Sequence, residues 1–201
     1  MRYTDSTLED YVADGIDDLQ RKERLWKEDK VPIDGVTNIT RTTAKAYERL
    51  AIAASLLGAA RQSHQWFAKA AQSHLEQVHA ARLRRDLRER SVWESEPRQF
   101  LRAINDALLS RDEELLTEVA SGAIEMDACY LDEFADDYLD FTAHYYNVKV
   151  RAALVLDDDR APELLAEFKA GVDRLSDTSQ YWETVPELYQ ALIDESEPAA
   201  Q

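Results

Sequence analysis

Helix breakers are scarce in this chain, and their scarcity limits its fold more than any other feature of the sequence. Only 5 glycines and 5 prolines occur in 201 residues. Between them, apolar residues recur every three or four positions, which is the spacing of one face of an α-helix. No segment alternates polar and apolar residues convincingly enough to indicate a strand. The sequence therefore predicts an all-α protein of about seven or eight helices.

Capping residues and prolines indicate where helices begin and end. Ser6 and Glu9 form a capping box that opens the first helix, and Ser110 and Glu113 form another. Residues 31 to about 39 are expected to form a loop, and Pro186 is expected in the first turn of the last helix. Other helices are predicted at about 42–60, 63–89, 131–156 and 184–195.

Three short stretches of the sequence, 55–60, 107–112 and 153–158, resemble one another. Each ends a helix with small and apolar residues, continues through a tight polar turn and leads into a second helix. This pattern is typical of the αα-hairpin, the repeating unit of helical solenoids. The offsets between the stretches are 52 and 46 residues. Because they are unequal, we expect an irregular αα-hairpin array, either a superhelix or a helical bundle.

Parts of this pattern resemble two known families. Leu57 and Gly58, followed by Phe67 and Ala70, resemble a tetratricopeptide unit. The two later hairpins, over residues 98–195, resemble the immunity-protein 49 family through an Asp-containing turn followed by Glu and paired Leu. Members of that family are helical proteins encoded beside polymorphic toxins and presumed to neutralise them. The resemblance implies a toxin-binding role and transfers no site residues.

The length and the apolar content predict one helical domain over residues 1–195 and a frayed tail over 196–201. No apolar run approaches the roughly 20 residues of a membrane span. Cys129 is the only cysteine, so no disulfide can form within the chain. The first residues lack the apolar core of a signal peptide. We therefore expect a cytoplasmic protein that does not enter a membrane.

Acidic residues outnumber basic ones by 40 to 24, and the net charge is −16. Such a charge repels nucleic acids, which weighs against a nucleic-acid partner. Arginine also outnumbers lysine by 17 to 7. This composition resembles that of proteins from salt-loving archaea, in which carboxylates keep the surface hydrated and molar salt screens charge beyond roughly 3 Å. The composition favours a halophilic origin.

One basic segment stands out against this acidic background. It contains five arginines within nine residues, namely Arg82, Arg84, Arg85, Arg88 and Arg90. The functional interpretation is a site for an anion, for nucleic acid or for an acidic partner. The structural interpretation is that these arginines pair with carboxylates of the same protein or of a homodimer partner. The acidity of the chain favours the structural interpretation, and the lack of aromatic residues between the arginines weakens the case for nucleic acid.

Histidines are the remaining candidates for metal chemistry. His64, His74 and His79 fall on one predicted helix, and His144 falls on a later one. The first three do not share a helical face, because each residue turns the helix by about 100°. The sequence therefore predicts no metal site and no cofactor, with these four histidines as the weak candidates. It also shows no phosphate loop and no nucleophile–base pattern, so no catalytic residues are predicted.

The leading hypothesis from the sequence is a non-catalytic helical-repeat module that binds a protein partner, such as an immunity-type protein that neutralises a toxin. Two alternatives stay open. One is a metal-dependent helical-bundle enzyme, and the other is a nucleic-acid or phosphate binder that uses the segment Arg82 to Arg90.

Overall fold

The computed structural model of the chain describes residues 10, 13–18, 21, 33–83, 95–127, 131, 139–175 and 180–196. All regular structure in these residues is helical, which confirms the predicted all-α class. None of the described helices is long and apolar enough to span a membrane. In chain order the helices are α1 (13–18), α2 (Ile33–Leu56), α3 (Ala60–Leu83), α4 (Ser95–Ser110), α5 (Glu113–Ile124), α6 (Leu139–Leu156), α7 (Ala161–Asp173) and α8 (Gln180–Ser196).

The chain divides into two compact units. Unit 1 is Met1–Leu115 and unit 2 is Leu116–Gln201. The division falls within α5, so α1 to α4 belong to unit 1 and α6 to α8 belong to unit 2. The single domain expected over 1–195 stays a prediction, and residues 197–201 of the expected tail lie outside the described residues.

In unit 1, α3 packs against α2 on one side and against α4 on the other. Small residues make this close packing possible, because Ala51, Ala70 and Ala103 are fully buried on the three helices. Tyr47 of α2 stacks on Trp66 of α3 with ring centroids 5.6 Å apart. The closest helix packing in the described part of unit 1 thus joins helices that follow one another in the chain.

In unit 2, α6 packs against α7, and α8 packs against both. The core contains Val150, Leu165, Phe168 and Ile193. Gly171 of α7 lies so near α6 that a Cβ atom there would meet backbone at 3.3 Å. The absence of a side chain at this position therefore lets the two helices approach closely.

Turns with one residue at positive φ occur at all three repeated stretches. The φ angles are 76° at Gly58, 57° at Arg111 and 53° at Asp157. A residue in this conformation just after a helix commonly caps its last carbonyl groups. After α2, the Ala59 amide donates to the Ala54 carbonyl at 2.9 Å, and after α6 the Asp158 amide donates to the Ala153 carbonyl, also at 2.9 Å. The predicted helix–turn–helix transitions are therefore present at these three places.

Three details of the predicted boundaries are wrong. Residues 33–39 are helical and not a loop, because α2 begins at Ile33. Pro32 comes directly before this helix in the sequence, and proline is tolerated at a helix start although it disrupts a helix interior. Ser110 belongs to α4, and the Asp112 carboxylate caps α5 by accepting from the Leu115 amide at 3.0 Å. Pro186 lies inside α8, which begins at Gln180 and not near Thr184.

Candidate functional site

The most polar part of the core lies where α2, α3 and α4 meet. His74 of α3 is completely buried there, in helical register with the buried residues Ala70, Ala71 and Val78. Its polar neighbours come from the helices on either side, because α3 is the middle helix of the three. A histidine at such a position must find hydrogen-bond partners inside the protein, since an unsatisfied buried polar group is costly.

Both ring nitrogens of His74 have polar partners. Nδ1 lies 2.7 Å from Oε1 of Gln99 on α4. Nε2 lies 3.0 Å from Oε1 of Glu48 on α2 and 3.6 Å from Oδ2 of Asp106 on α4. Gln77 donates through Nε2 to a backbone carbonyl of α3, and the same atom lies 3.5 Å from Nδ1. The imidazole is therefore fixed between two carboxylates on one side and an amide on the other.

This geometry indicates where one ring proton of His74 lies. The Gln99 Oε1 is a carbonyl oxygen and can only accept, so Nδ1–H is the donor of the 2.7 Å hydrogen bond. Nε2 then faces Glu48 and Asp106 either with a second proton or with a lone pair. A lone pair pointing at two carboxylate oxygens is stable only when a proton or a metal ion lies between them.

The two carboxylates respond differently to this environment. The hydrogen bond from His74 lowers the pKa of Glu48 and outweighs the opposing effect of partial burial. Burial raises the pKa of Asp106 to about 7, repulsion from Glu48 adds to the rise, and Arg102 opposes it. Asp106 Oδ2 is buried and makes no hydrogen bond within the described part of the chain. Asp106 is thus the least satisfied member of the cluster.

The donor atoms of Glu48, His74 and Asp106 all lie within 4.8 Å of one another. Among the described residues this is the group that could hold a metal ion. It contains one of the four predicted candidate histidines. His64 of α3 is half-buried and His79 of α3 is exposed, and neither belongs to the group.

His144 lies in unit 2 and packs edge-on against Trp182, with ring centroids 4.7 Å apart. It therefore belongs to an aromatic contact of the second core.

Sequence reasoning missed Glu48 and Asp106 because each comes from a different helix. A signal was nevertheless present. Glu48 occurs between Ala44 and Ala51 in the buried stripe of α2, and Asp106 lies three residues after Ala103 in that of α4. A carboxylate at a core position of an amphipathic helix needs a partner, so such positions identify candidate polar sites.

The predicted arginine segment lies mostly outside the described residues. The backbone of Arg82 belongs to the last turn of α3, whereas its side chain and the residues Arg84, Arg85, Arg88 and Arg90 fall outside them. An anion or partner site at this segment stays a prediction.

Unit 2 presents apolar side chains to solvent on its last helix. Leu188 is 55% exposed and Leu192 is 44% exposed. They lie four residues apart on α8 and so share a face. Glu195 lies three residues after Leu192 and so belongs to the same face, and Glu187 directly precedes Leu188. Both glutamates are exposed. We call Leu188, Leu192, Glu187 and Glu195 the α8 face.

The charge of the chain is concentrated in the same unit. Residues 116–201 contain 20 acidic and 5 basic residues, a net charge of −15. Residues 1–115 contain 20 acidic and 19 basic residues, a net charge of −1. Nearly all of the net charge of −16 therefore belongs to the unit that carries the α8 face.

No protein-family model, no curated protein and no solved structure matches this chain. The resemblances to the tetratricopeptide and immunity-protein 49 families stay predictions.

Proposed function

We propose that this protein is a non-catalytic binding module whose acidic unit 2 docks a protein partner at the α8 face. The partner would present a basic surface that carries apolar side chains. The observation that carries this proposal is the coincidence of two exposed leucines, Leu188 and Leu192, with a unit of net charge −15. Neutralisation of a basic toxin in the cytoplasm is the specific role that this proposal favours.

The uneven charge supports partner binding over a general adaptation to salt. A halophilic surface needs carboxylates wherever the protein meets solvent, and both units would then be acidic. Unit 1 has almost equal numbers of acidic and basic residues, so its charge gives no support to such an adaptation. An acidic docking surface needs negative charge only on the unit that binds the partner. This matches the net charges of −15 for unit 2 and −1 for unit 1.

Two physical effects would contribute to binding. Full burial of a leucine side chain stabilises a complex by about 1.5–3 kcal/mol, so Leu188 and Leu192 would supply affinity. The negative charge of unit 2 would attract a basic partner over a distance and raise the association rate by roughly 10- to 1000-fold at low salt. Apolar anchors bordered by charge are the usual composition of a protein interface.

The proposal can be tested with two display libraries of amphipathic helical peptides. The libraries share an apolar face, and their polar faces are rich either in Lys and Arg or in Glu. We expect the full chain to select basic peptides whose affinity falls as salt is raised. The double variant Leu188→Ser/Leu192→Ser should bind the selected peptides more weakly, by more than about 10-fold.

The matched control is Leu108→Ser/Leu109→Ser, because these adjacent leucines of unit 1 are exposed to a similar extent. It should bind the selected peptides like the wild-type chain. Selection of acidic peptides, or equal losses in the two double variants, would contradict the proposed docking surface. Selection of basic peptides whose affinity does not depend on Leu188 and Leu192 would also contradict it, since charge alone would then explain their binding.

A further inference from the structure

The cluster at the meeting point of α2, α3 and α4 has an excess of negative groups. Glu48 and Asp106 approach the same imidazole nitrogen, Nε2 of His74, at 3.0 and 3.6 Å. A singly charged imidazolium could balance one carboxylate, and the positive charge of Arg102 attracts both carboxylates without contacting Oδ2 of Asp106. The Asp106 side chain is only 8% exposed, and its Oδ2 points toward Nε2 without making a hydrogen bond. A buried carboxyl group is usually protonated, paired or bound to a metal, so Oδ2 of Asp106 needs either a proton or a cation in contact with it.

The opposite side of the His74 ring is arranged as in a metal-binding histidine. Such a histidine almost always donates its second N–H to a carbonyl or carboxylate oxygen, which fixes the tautomer and the ring orientation. Gln99 Oε1 provides that acceptor at 2.7 Å from Nδ1. In the neutral imidazole with its proton on Nδ1, the Nε2 lone pair would point at the space shared by the two carboxylates.

We propose that Glu48, His74 and Asp106 bind a divalent first-row transition-metal ion of the zinc class. The two carboxylates would neutralise the charge of the ion, and the neutral imidazole would supply a nitrogen ligand. This site is independent of the α8 face and lies in the other unit.

The spacing of the donor atoms is close to that of such a site, and all three donor atoms lie within 4.8 Å of one another. Zinc binds imidazole nitrogen and carboxylate oxygen at about 2.0–2.2 Å, which places tetrahedral donor atoms roughly 3.3–3.6 Å apart. The distances from Nε2 to Glu48 Oε1 and to Asp106 Oδ2 are 3.0 and 3.6 Å. The Glu48 side chain is 31% exposed, so the ion can enter from that side and water can complete its coordination.

The kind of donor atom selects the class of ion. Magnesium and calcium prefer sites made of oxygen atoms alone, whereas imidazole suits zinc, copper, nickel and iron. The completely buried His74 nitrogen therefore favours a transition metal over the hard divalent ions. The competing explanation is a metal-free network in which a proton replaces the ion between Nε2 and the carboxylates.

The test uses the full chain stripped of metal with a chelator. Zinc binding is measured by calorimetric titration and by the change in melting temperature, and cobalt is used as a spectroscopic probe of the coordination sphere. We expect one zinc ion per chain, a raised melting temperature, and visible cobalt absorption of a site with nitrogen and oxygen ligands. A wild-type chain that takes up neither ion at this stoichiometry would overturn the proposal.

The variants Glu48→Gln and Asp106→Asn keep the shape of each side chain and remove one ligand charge. Loss of a residue that only supports a metal ligand weakens metal binding by about 10- to 100-fold. Each of these variants loses a ligand itself, so each should weaken zinc binding by more than that. Asp106→Asn should fold without metal at least as well as the wild type, because it removes a buried carboxylate that Glu48 repels. This variant therefore separates loss of binding from loss of folding.

The matched control is His64→Gln, since His64 lies on the same helix as His74 and is half-buried. It should bind zinc like the wild type. Equal weakening in His64→Gln, or unchanged zinc affinity in both carboxylate variants, would show adventitious binding elsewhere and would overturn the assignment. A proton-bridged network without a metal site predicts no saturable binding in any of these proteins.

Discussion

Gln99 of α4 accepts a 2.7 Å hydrogen bond from Nδ1 of His74 of α3, and both side chains are buried. Replacement of Gln99 by Leu would leave the Nδ1–H without an acceptor. An unsatisfied buried donor costs about 1–3 kcal/mol, so we expect Gln99→Leu to lower the free energy of unfolding by that amount. Denaturation in urea measures the change.

The control for this substitution is Gln72→Leu, at an exposed position of α3. Its effect should stay within about 0.5 kcal/mol, as is usual for surface substitutions. If both variants lost equal stability, the cost would come from the apolar side chain and not from the broken hydrogen bond.

Gly58 at the turn between α2 and α3 has a φ of 76°, and a Cβ atom added there would meet no atom within 4 Å. The only cost of Gly58→Ala is therefore the left-handed backbone conformation, which is roughly 1–2 kcal/mol for a residue with a side chain. We expect a loss of about 1 kcal/mol in the free energy of unfolding, measured by thermal or chemical denaturation.

The reverse change is available at the turn between α4 and α5, where Arg111 has a φ of 57°. Arg111→Gly should stabilise the protein by up to about 1 kcal/mol, because glycine adopts this conformation without a steric penalty. The gain is limited by the extra freedom of glycine in the unfolded chain. A loss of stability in this variant would mean that the arginine side chain contributes more than its backbone strain costs.

Asp158 at the turn before α7 accepts hydrogen bonds from the backbone amide and the guanidinium of Arg160. The hydrogen bonds from Arg160 lower the pKa of Asp158 from its ordinary value of 3.8 to about 2, and those from the guanidinium contribute more than the one from the backbone amide. A lowered acid pKa stabilises the folded state at pH values above 3.8. This stabilisation is lost as the pH falls toward 2.

The difference in unfolding free energy between the wild type and Asp158→Asn should therefore shrink as the pH falls from 5 to roughly 2. The pair is exposed, so solvent will keep the effect small. The Arg160→Gln variant should show a smaller pH dependence of the unfolding free energy. The double variant Arg160→Gln/Asp158→Asn should show little further reduction. A difference between the wild type and Asp158→Asn that does not change with pH would rule out this ion pair as its cause.

Tyr189 of α8 donates through its hydroxyl to Oδ1 of Asn147 on α6 at 2.7 Å, and both residues are buried. We expect Tyr189→Phe to lower the free energy of unfolding by about 0.5–1.5 kcal/mol, the usual net contribution of such a bond. Chemical denaturation of the two proteins measures the difference, and equal midpoints with equal slopes would refute the expectation.

The helical fold could be predicted because it depends on local signals. The repeated spacing of residues such as Leu50, Ala53 and Ala54 indicates a buried helical face without knowledge of the partner helix. Boundaries were less predictable, since a cap depends on backbone geometry. At the start of α5, Ser110 and Asp112 are both suitable residues, and Asp112 is the one at the cap, directly after the left-handed Arg111.

The buried cluster could not be assembled from the sequence, because its members meet through packing of three helices. Distances between Glu48, His74 and Asp106 depend on how each helix is rotated and on how closely the alanines between them allow approach. The spacing of apolar residues indicates the rotation of each helix approximately, but it does not indicate how closely two helices approach. The four histidines were conspicuous as residue types, whereas the decisive feature was the buried carboxylate of Asp106 together with the partly buried one of Glu48.

The short turns between paired helices also have a consequence for synthesis in the cell. Among the described helices of unit 1, the closest packing is between neighbours in the chain, α2 with α3 and α3 with α4. The apolar faces of α2 and α3 can therefore cover each other once residue 83 has left the ribosome, before the segment that supplies most of the negative charge has been translated. Local pairing of this kind favours rapid folding, so a nascent chain would expose its apolar stripes to chaperones and to other chains only briefly.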